Sequence, residues 1–159
     1  MKADQSAAGF AAETLVRTRE GFKPISDVQQ GEWVLSCADD FVPPLRLRTE
    51  EEAVYRQVTR RHVHPAALLC DVTVIQFAAN AKETLRASVN QAFFVKRAGW
   101  RAAASLNFRC VLYGERFGNL AIAEAVVSGE QAPLHSLEVD GLCTYYVGRW
   151  GVWVHSDAV

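Results

Sequence analysis

The chain has 159 residues, 50% of them hydrophobic and 22% charged, with a formal net charge of −1. That length suffices for one domain with a buried core, and the near-neutral charge gives no general attraction to nucleic acid or an anionic membrane. No apolar run is long enough to cross a bilayer, and the opening "MKADQSAAGF" lacks the apolar stretch of a signal peptide, so a cytoplasmic location is expected.

Strand signals dominate in chain order. "TLVRT" (14–18) alternates apolar and polar residues, and "EWVLSC" (32–37) follows a Gln-Gly turn. "VYRQVTRRHVHP" (54–65) is rich in valine and stops at a proline. "CDVTVIQFAA" (70–79) is apolar on both faces, the pattern of a buried strand. Further strands are expected over 84–89, 92–96, 108–114, 120–129 and 135–141, then in "TYYVG" and "GVWVH". Helix is scarce. "PISDV" and "AAASL" (102–106) each suit one helical turn, and over 48–58 a short helix competes with a strand. The fold class is mostly β, with short strands and long crossing connections.

Two stretches echo each other without a gap at an offset of 78 residues: "GFKPISDVQQGEWVL" (21–35) and "GWRAAASLNFRCVLY" (99–113). Each places Gly, an aromatic and a basic residue before a small-residue turn and an apolar strand. A repeated strand-turn-strand unit in two halves, related by a pseudo-twofold, accounts for this. Cys37, Cys70, Cys110 and Cys143 lack the paired spacing of a zinc site, and four small buried hydrophobes are the expectation.

Three blocks, "FAAETLVRTREGFKPISDVQQGEWVLS" (10–36), "LRASVNQAFFVKRAGWRAAASL" (85–106) and "LEVDGLCTYYVGRWGVWVHS" (137–156), resemble the Hint superfamily of inteins and hedgehog autoprocessing domains. The resemblance is greatest to the pretoxin Hint domains of bacterial polymorphic toxin systems. It implies a pseudo-twofold horseshoe of short strands over residues 9–156, with 1–8 and 157–159 as tails. It also implies a chemistry in which the chain cleaves its own backbone. A Cys or Ser at the first position attacks the preceding carbonyl, a Thr-x-x-His motif holds and protonates that amide, and a terminal His-Asn pair cleaves downstream when the Asn amide cyclises.

Carried over residue by residue, these positions depart from the family pattern. The first nucleophile falls on Gly9, which has no side chain. Thr-x-x-His falls on Ser88 to Gln91, and a glutamine exchanges no proton near neutral pH. Cys143 stands where many pretoxin domains have His. His155 is kept, but Ser156 replaces the cyclising Asn, and a serine forms no succinimide. With eight residues before Gly9 and three after Ser156, no substantial flank is expected to be joined or released. The resemblance therefore implies an inactive relative of self-splicing domains that needs no cofactor. Its expected partner is another protein, for which the pretoxin setting points to a toxin or its immunity protein, and neither nucleic acid nor a membrane is expected.

Other residues bear on alternatives. Ser136 lies in the block where some inteins start from a different nucleophile, so residual self-cleavage from Ser136 is the competing expectation. The plain alternative is a strand hydroxyl bonded to the backbone. His62 and His64 share a strand face at i, i+2 and could give two metal ligands, but no third follows by spacing. The neighbouring arginines, Arg46, Arg48, Arg56, Arg60 and Arg61, are interrupted by Glu50, Glu51 and Glu52, a mixed solvated surface. Trp150, in the turn "GRWG", is expected to be exposed and, beside Arg149, to contact a partner.

Overall fold

The computed structural model describes residues 7–40, 54–115 and 118–159. Among the described residues eleven strands form one antiparallel sheet: β1 (Leu15–Thr18), β2 (Gly21–Pro24), β3 (Trp33–Ser36), β4 (Val54–Gln76), β5 (Ala81–Ser88), β6 (Gln91–Val95), β7 (Gly99–Ala102), β8 (Val111–Tyr113), β9 (Asn119–Val139), β10 (Thr144–Val147) and β11 (Val152–Ala158). The sheet path runs β10-β11-β6-β8-β9-β4-β3-β1-β2 and closes on itself where β1 pairs with β10. The Hint-type, mostly β fold is therefore present.

The echo in the sequence is an echo in space. Two 3₁₀ turns, Ile25–Asp27 and Ala103–Ser105, occupy the two predicted helical turns and lie 78 residues apart. In each, the residue after the turn donates its N–H back to the first carbonyl, Val28 to Ile25 and Leu106 to Ala103. β2 and β7, and then β3 and β8, hold equivalent places. Leu15 opposes Pro24 in the first hairpin, and Ala92 opposes Ala102 in the second.

Three predicted boundaries move. The runs 54–65 and 70–79 are one 23-residue strand, β4, and the runs 120–129 and 135–141 are one 21-residue strand, β9. Proline lacks an N–H for the ladder, which is why 65 read as a stop. Here the β4–β9 register shifts between His64 and Ala67, so Pro65 and the facing Pro133 both fall in the irregularity and the ribbon continues past them. The run 108–114 shortens to Val111–Tyr113. Of the region 48–58, residues 48–53, with Arg48, Glu50, Glu51 and Glu52, lie outside the described residues, as does Arg46; residues 54–58 are strand.

The main core gathers the inward residues of both halves, among them Val16, Ile25, Val34, Leu85, Phe93, Leu112, Leu137 and Tyr145. An aromatic cluster of Phe94, Tyr113, Tyr146 and Trp153 packs beside it, with Trp100 edge-on to Phe94 at 5.2 Å. Only two of the cysteines meet the expectation of burial. Cys37 and Cys70 are buried, the latter with its thiol pushed up to about 11 by desolvation and then by Asp71, whereas Cys110 is partly covered and Cys143 is exposed. Cys143 departs because it sits in the turn before β10 with φ of 61°, outside the apolar alternation of the strand.

Candidate functional site at the junction of the two chain ends

Phe10 fixes the start of the domain. Its ring is fully buried, edge-on to Phe93 at 5.9 Å and Tyr145 at 6.4 Å. Its backbone exchanges two hydrogen bonds with His135 of β9, at 2.9 and 2.8 Å. One residue earlier, the Gly9 carbonyl accepts from the Ser88 N–H at 3.0 Å. Gly9 is thus wedged between β9 and the end of β5. Its φ is +146°, and a Cβ there would lie 2.8 Å from the His135 carbonyl oxygen and 3.2 Å from the Leu134 Cβ. Only glycine fits this backbone without strain.

The far end of the chain arrives at the same place on β11, which pairs with β6 and β10. A single side chain spans the two ends. Gln91, fully buried at the start of β6, accepts from the Gly9 N–H through Oε1 at 2.8 Å. Through Nε2 it donates to the carbonyls of His155 at 2.8 Å and Ala92 at 2.9 Å. The carboxamide serves one N–H and two C=O groups at once; a neutral imidazole has a single donor, and a carboxylate has none.

His155 is held on three sides. Nδ1 accepts from the Asp157 N–H at 2.9 Å, which leaves the ring proton on Nε2 to meet Asp39 Oδ2 at 2.9 Å. The ring stands edge-on to Trp100 at 5.0 Å. The imidazole thus links the Asp157 backbone to the Asp39 carboxylate. Asp39 carries no sequence signal: it follows β3 in a turn, and its distance from His155 in the chain is 116 residues.

Ser136, on β9, is buried and donates its hydroxyl to the Ser156 carbonyl at 3.2 Å. Tyr145 is fully buried beside it, and burial pushes its phenol well above its ordinary value, against the smaller pull of Ser136 and the Leu137 backbone. The Ser88 and Ser156 hydroxyls are buried and have no hydrogen-bond partner among the described residues. The Ser156 N–H donates to the Cys143 carbonyl at 2.8 Å. The Cys143 thiol, in a cleft with Glu138, Ser156 and Asp157, is pushed up by desolvation first and then by Asp39, Asp157 and Glu138.

The six positions Gly9, Ser88, Gln91, Cys143, His155 and Ser156, with Ser136, therefore come together although the sequence separates them by up to 147 residues. His62 and His64 line a cleft with Ala7, Ala8, Ser136 and Ser156, and His62 Nε2 meets Glu138 Oε1 at 3.1 Å. Among the described residues no group of three or more His, Cys, Asp or Glu is placed to hold a metal ion. Arg149 and Trp150 lie away from the junction. Contrary to expectation, Trp150 is not exposed: it is half-buried, packed on the main core because its turn closes β10 onto β11. Arg149 is exposed, its guanidinium 5.5 Å over the Trp150 ring and 3.7 Å from Glu83.

Residues 15–157 match the pretoxin HINT domain family. The chain belongs to that family. Solved structures agree on the fold. A bacterial intein-like domain from Clostridium thermocellum is 21% identical with a TM-score of 0.75, covering 94% of this chain and 98% of its own. A DnaB intein from Synechocystis sp. PCC 6803 is 13% identical with a TM-score of 0.73, covering 95% and 99%. The gp41-1 intein is 20% identical with a TM-score of 0.67, covering 94% and 99%. No curated protein matches the chain. Within the described residues of this pretoxin Hint domain, no helix is long and apolar enough to cross a membrane.

Proposed function

We propose that this pretoxin Hint domain has lost self-splicing and autocleavage and works as a non-catalytic protein-binding module, with a toxin or its immunity protein as the class of partner. The observation that carries this reading is the backbone at Gly9. A first-position nucleophile needs a Cβ, and here that atom would sit 2.8 Å from the His135 carbonyl oxygen at a φ that side chains rarely adopt. The loss thus extends past one side chain to the local path of the chain. Gln91 adds to it by fastening the Gly9 N–H and the His155 carbonyl with neutral hydrogen bonds that transfer no proton. Ser156, lacking a carboxamide, supplies no cyclising group. The test is intact-mass spectrometry of the domain fused at both ends to inert proteins, with and without dithiothreitol or hydroxylamine. Full-length fusion alone is expected; fragments would overturn the reading.

A second reading is favoured by one contact, the Ser136 hydroxyl on the Ser156 carbonyl. His62 opposes Ser136 across the β4–β9 ladder, and Glu138 holds His62. Attack by Ser136 Oγ on the Ser156 carbonyl carbon, with its proton passing through His62 to the leaving Asp157 amine, would give an ester that water hydrolyses. In the same fusion this produces cleavage between Ser156 and Asp157, abolished by Ser136→Ala; cleavage at any other bond, or none, rules it out.

A further inference from the structure

Between β5 and the segment leading into β1 lies a cleft of about 440 Å³ that the junction does not use, with Glu13, Thr14, Thr84 and Arg149 in its lining. The outer edge of β5 is already paired at one end. Ala11 donates to the Arg86 carbonyl at 2.9 Å and the Ser88 N–H donates to Gly9 at 3.0 Å, so Arg86 and Ser88 turn their backbone groups away from β4. β5 pairs with β4 from Ser88 to Ala81 without a register shift. Backbone groups alternate sides along an antiparallel strand, so Thr84, two residues before Arg86, also presents its N–H and C=O outward. The 3.0 Å contact between the Thr73 and Thr84 hydroxyls agrees, because side chains approach closest across a pair that exchanges no backbone bonds. No described residue pairs with the outward Thr84 groups. At the far end the Arg149 guanidinium donates to the Lys82 carbonyl at 3.4 Å.

Two further groups of the cleft are unsatisfied. Thr14 is only 7% exposed, and its hydroxyl makes no hydrogen bond among the described residues, although Ala11 and Ile25 fix its backbone. Glu13 is exposed and meets no cation at salt-bridge distance among the described residues. The guanidinium groups of the cleft are held. Arg149 lies 3.7 Å from Glu83, whose Oε1 also takes the Arg149 N–H at 2.9 Å, and Arg86 is held by Asp71 at 3.3 Å and by Glu130. Counting Lys82, which shares a face of β5 with Arg86, four carboxylates stand against three cations, and the carboxylate left over is Glu13.

We propose that this cleft binds the free N-terminus of a partner polypeptide, laid along the β5 edge at Thr84. The terminal residue accepts from the Thr84 N–H through its carbonyl and donates to the Thr84 carbonyl through its ammonium group. The ammonium has two more protons, one for the Glu13 carboxylate and one for the Thr14 hydroxyl. A peptide N–H inside a chain has one proton and leaves both unmet. Length selects the same occupant. From the Arg86 carbonyl, taken by Ala11, to the Lys82 carbonyl, taken by Arg149, the edge runs about 13 Å, which admits a chain end of two or three residues and blocks a strand running through. The proposal rests on the binding-module reading and gives that module a site for its partner.

The test adds Ala-Ala amide, which has a free amine, or acetyl-Ala-Ala amide, its blocked twin, to the intact isotope-labelled domain and follows the backbone amide NMR shifts. The expected result is a saturable shift of the Thr84 amide by Ala-Ala amide with a Kd of about 1 mM, and binding about tenfold weaker or more for the acetylated peptide. Glu13→Gln, at an exposed position, and Thr14→Val, close in shape, should each weaken binding of the free amine about fivefold or more. Thermal melts within a few degrees of the parent establish that each variant is folded, and if Thr14→Val melts early, Glu13→Gln alone decides. No Thr84 shift at about 20 mM probe, equal binding of the two peptides, or unchanged binding in Glu13→Gln would each overturn the proposal. The fusion mass measurement decides the binding-module reading independently: a full-length mass with no peptide bound strikes this site alone, whereas fragments strike the reading beneath it.

Discussion

Replacing Gly9 with alanine adds one methyl group and probes the geometry that closes the upstream junction. Alanine at φ of +146° costs about 1–3 kcal/mol of backbone strain. The methyl carbon would also meet the His135 carbonyl oxygen at 2.8 Å. That oxygen is the acceptor for the Phe10 N–H at 2.9 Å, so moving it aside weakens a bond worth about 1 kcal/mol. The sum is about 2–4 kcal/mol, which in a domain of this size lowers the melting temperature by about 5–15 °C. Gly21→Ala is the internal control. Gly21 also has a positive φ, +114°, but a Cβ there meets nothing within 4 Å, so it carries the strain without the clash. Thermal denaturation followed by circular dichroism measures both. A melting temperature for Gly9→Ala within a degree of the parent, or equal to that of Gly21→Ala, would refute the argument that the junction is closed by its backbone.

Three further outcomes follow from the site. Gln91→Leu should cost about 2–5 kcal/mol, because the Gly9 N–H and the His155 carbonyl both lose the partner they have in Gln91; a shift of the urea midpoint at constant slope measures it, and an unchanged midpoint contradicts the bridging role. Burial first, and Arg61 second, lowers the His135 pKa, so the folded state binds fewer protons than the unfolded state just below the ordinary histidine value. Stability from this group is present above about pH 6.5 and is lost as pH falls below it, and His135→Gln should flatten that slope in denaturant titrations; an equal slope contradicts it. Cys143 is exposed, yet burial of its thiol and three nearby carboxylates raise its pKa, so iodoacetamide should modify it more slowly at neutral pH than a free cysteine, with the rate still rising where the free thiol has levelled off. A plateau at or below the pH of the free thiol contradicts this.

Much of the fold was legible because its units are local. The alternation in "TLVRT", the small-residue turns "PISDV" and "AAASL" and the 78-residue echo each depend on neighbours in the chain, and each appears where it was read. The long β4–β9 ribbon was not legible as one piece. Pro65 and Pro133 break the donor pattern in both strands, and only their meeting in one irregularity of the ladder lets the strands continue. The junction was legible position by position through family resemblance, whereas its geometry was not. Nothing in the sequence joins Gln91 to both Gly9 and His155, or Asp39 to His155, because these contacts span 64 to 116 residues and depend on how the two halves close. Trp150 was misread for a related reason: a tight Gly-flanked turn reads as surface, but the closure of β10 onto β11 presses its ring onto the core.

The central claim is that this pretoxin Hint domain keeps its two ends together without cutting either. The most direct measurement is the intact mass of a fusion carrying an inert protein at each end, followed over days with thiol and hydroxylamine present. The account predicts a single full-length mass. Release of the upstream partner at Gly9, release of the downstream partner at Ser156, or a product in which the two partners are joined would contradict it.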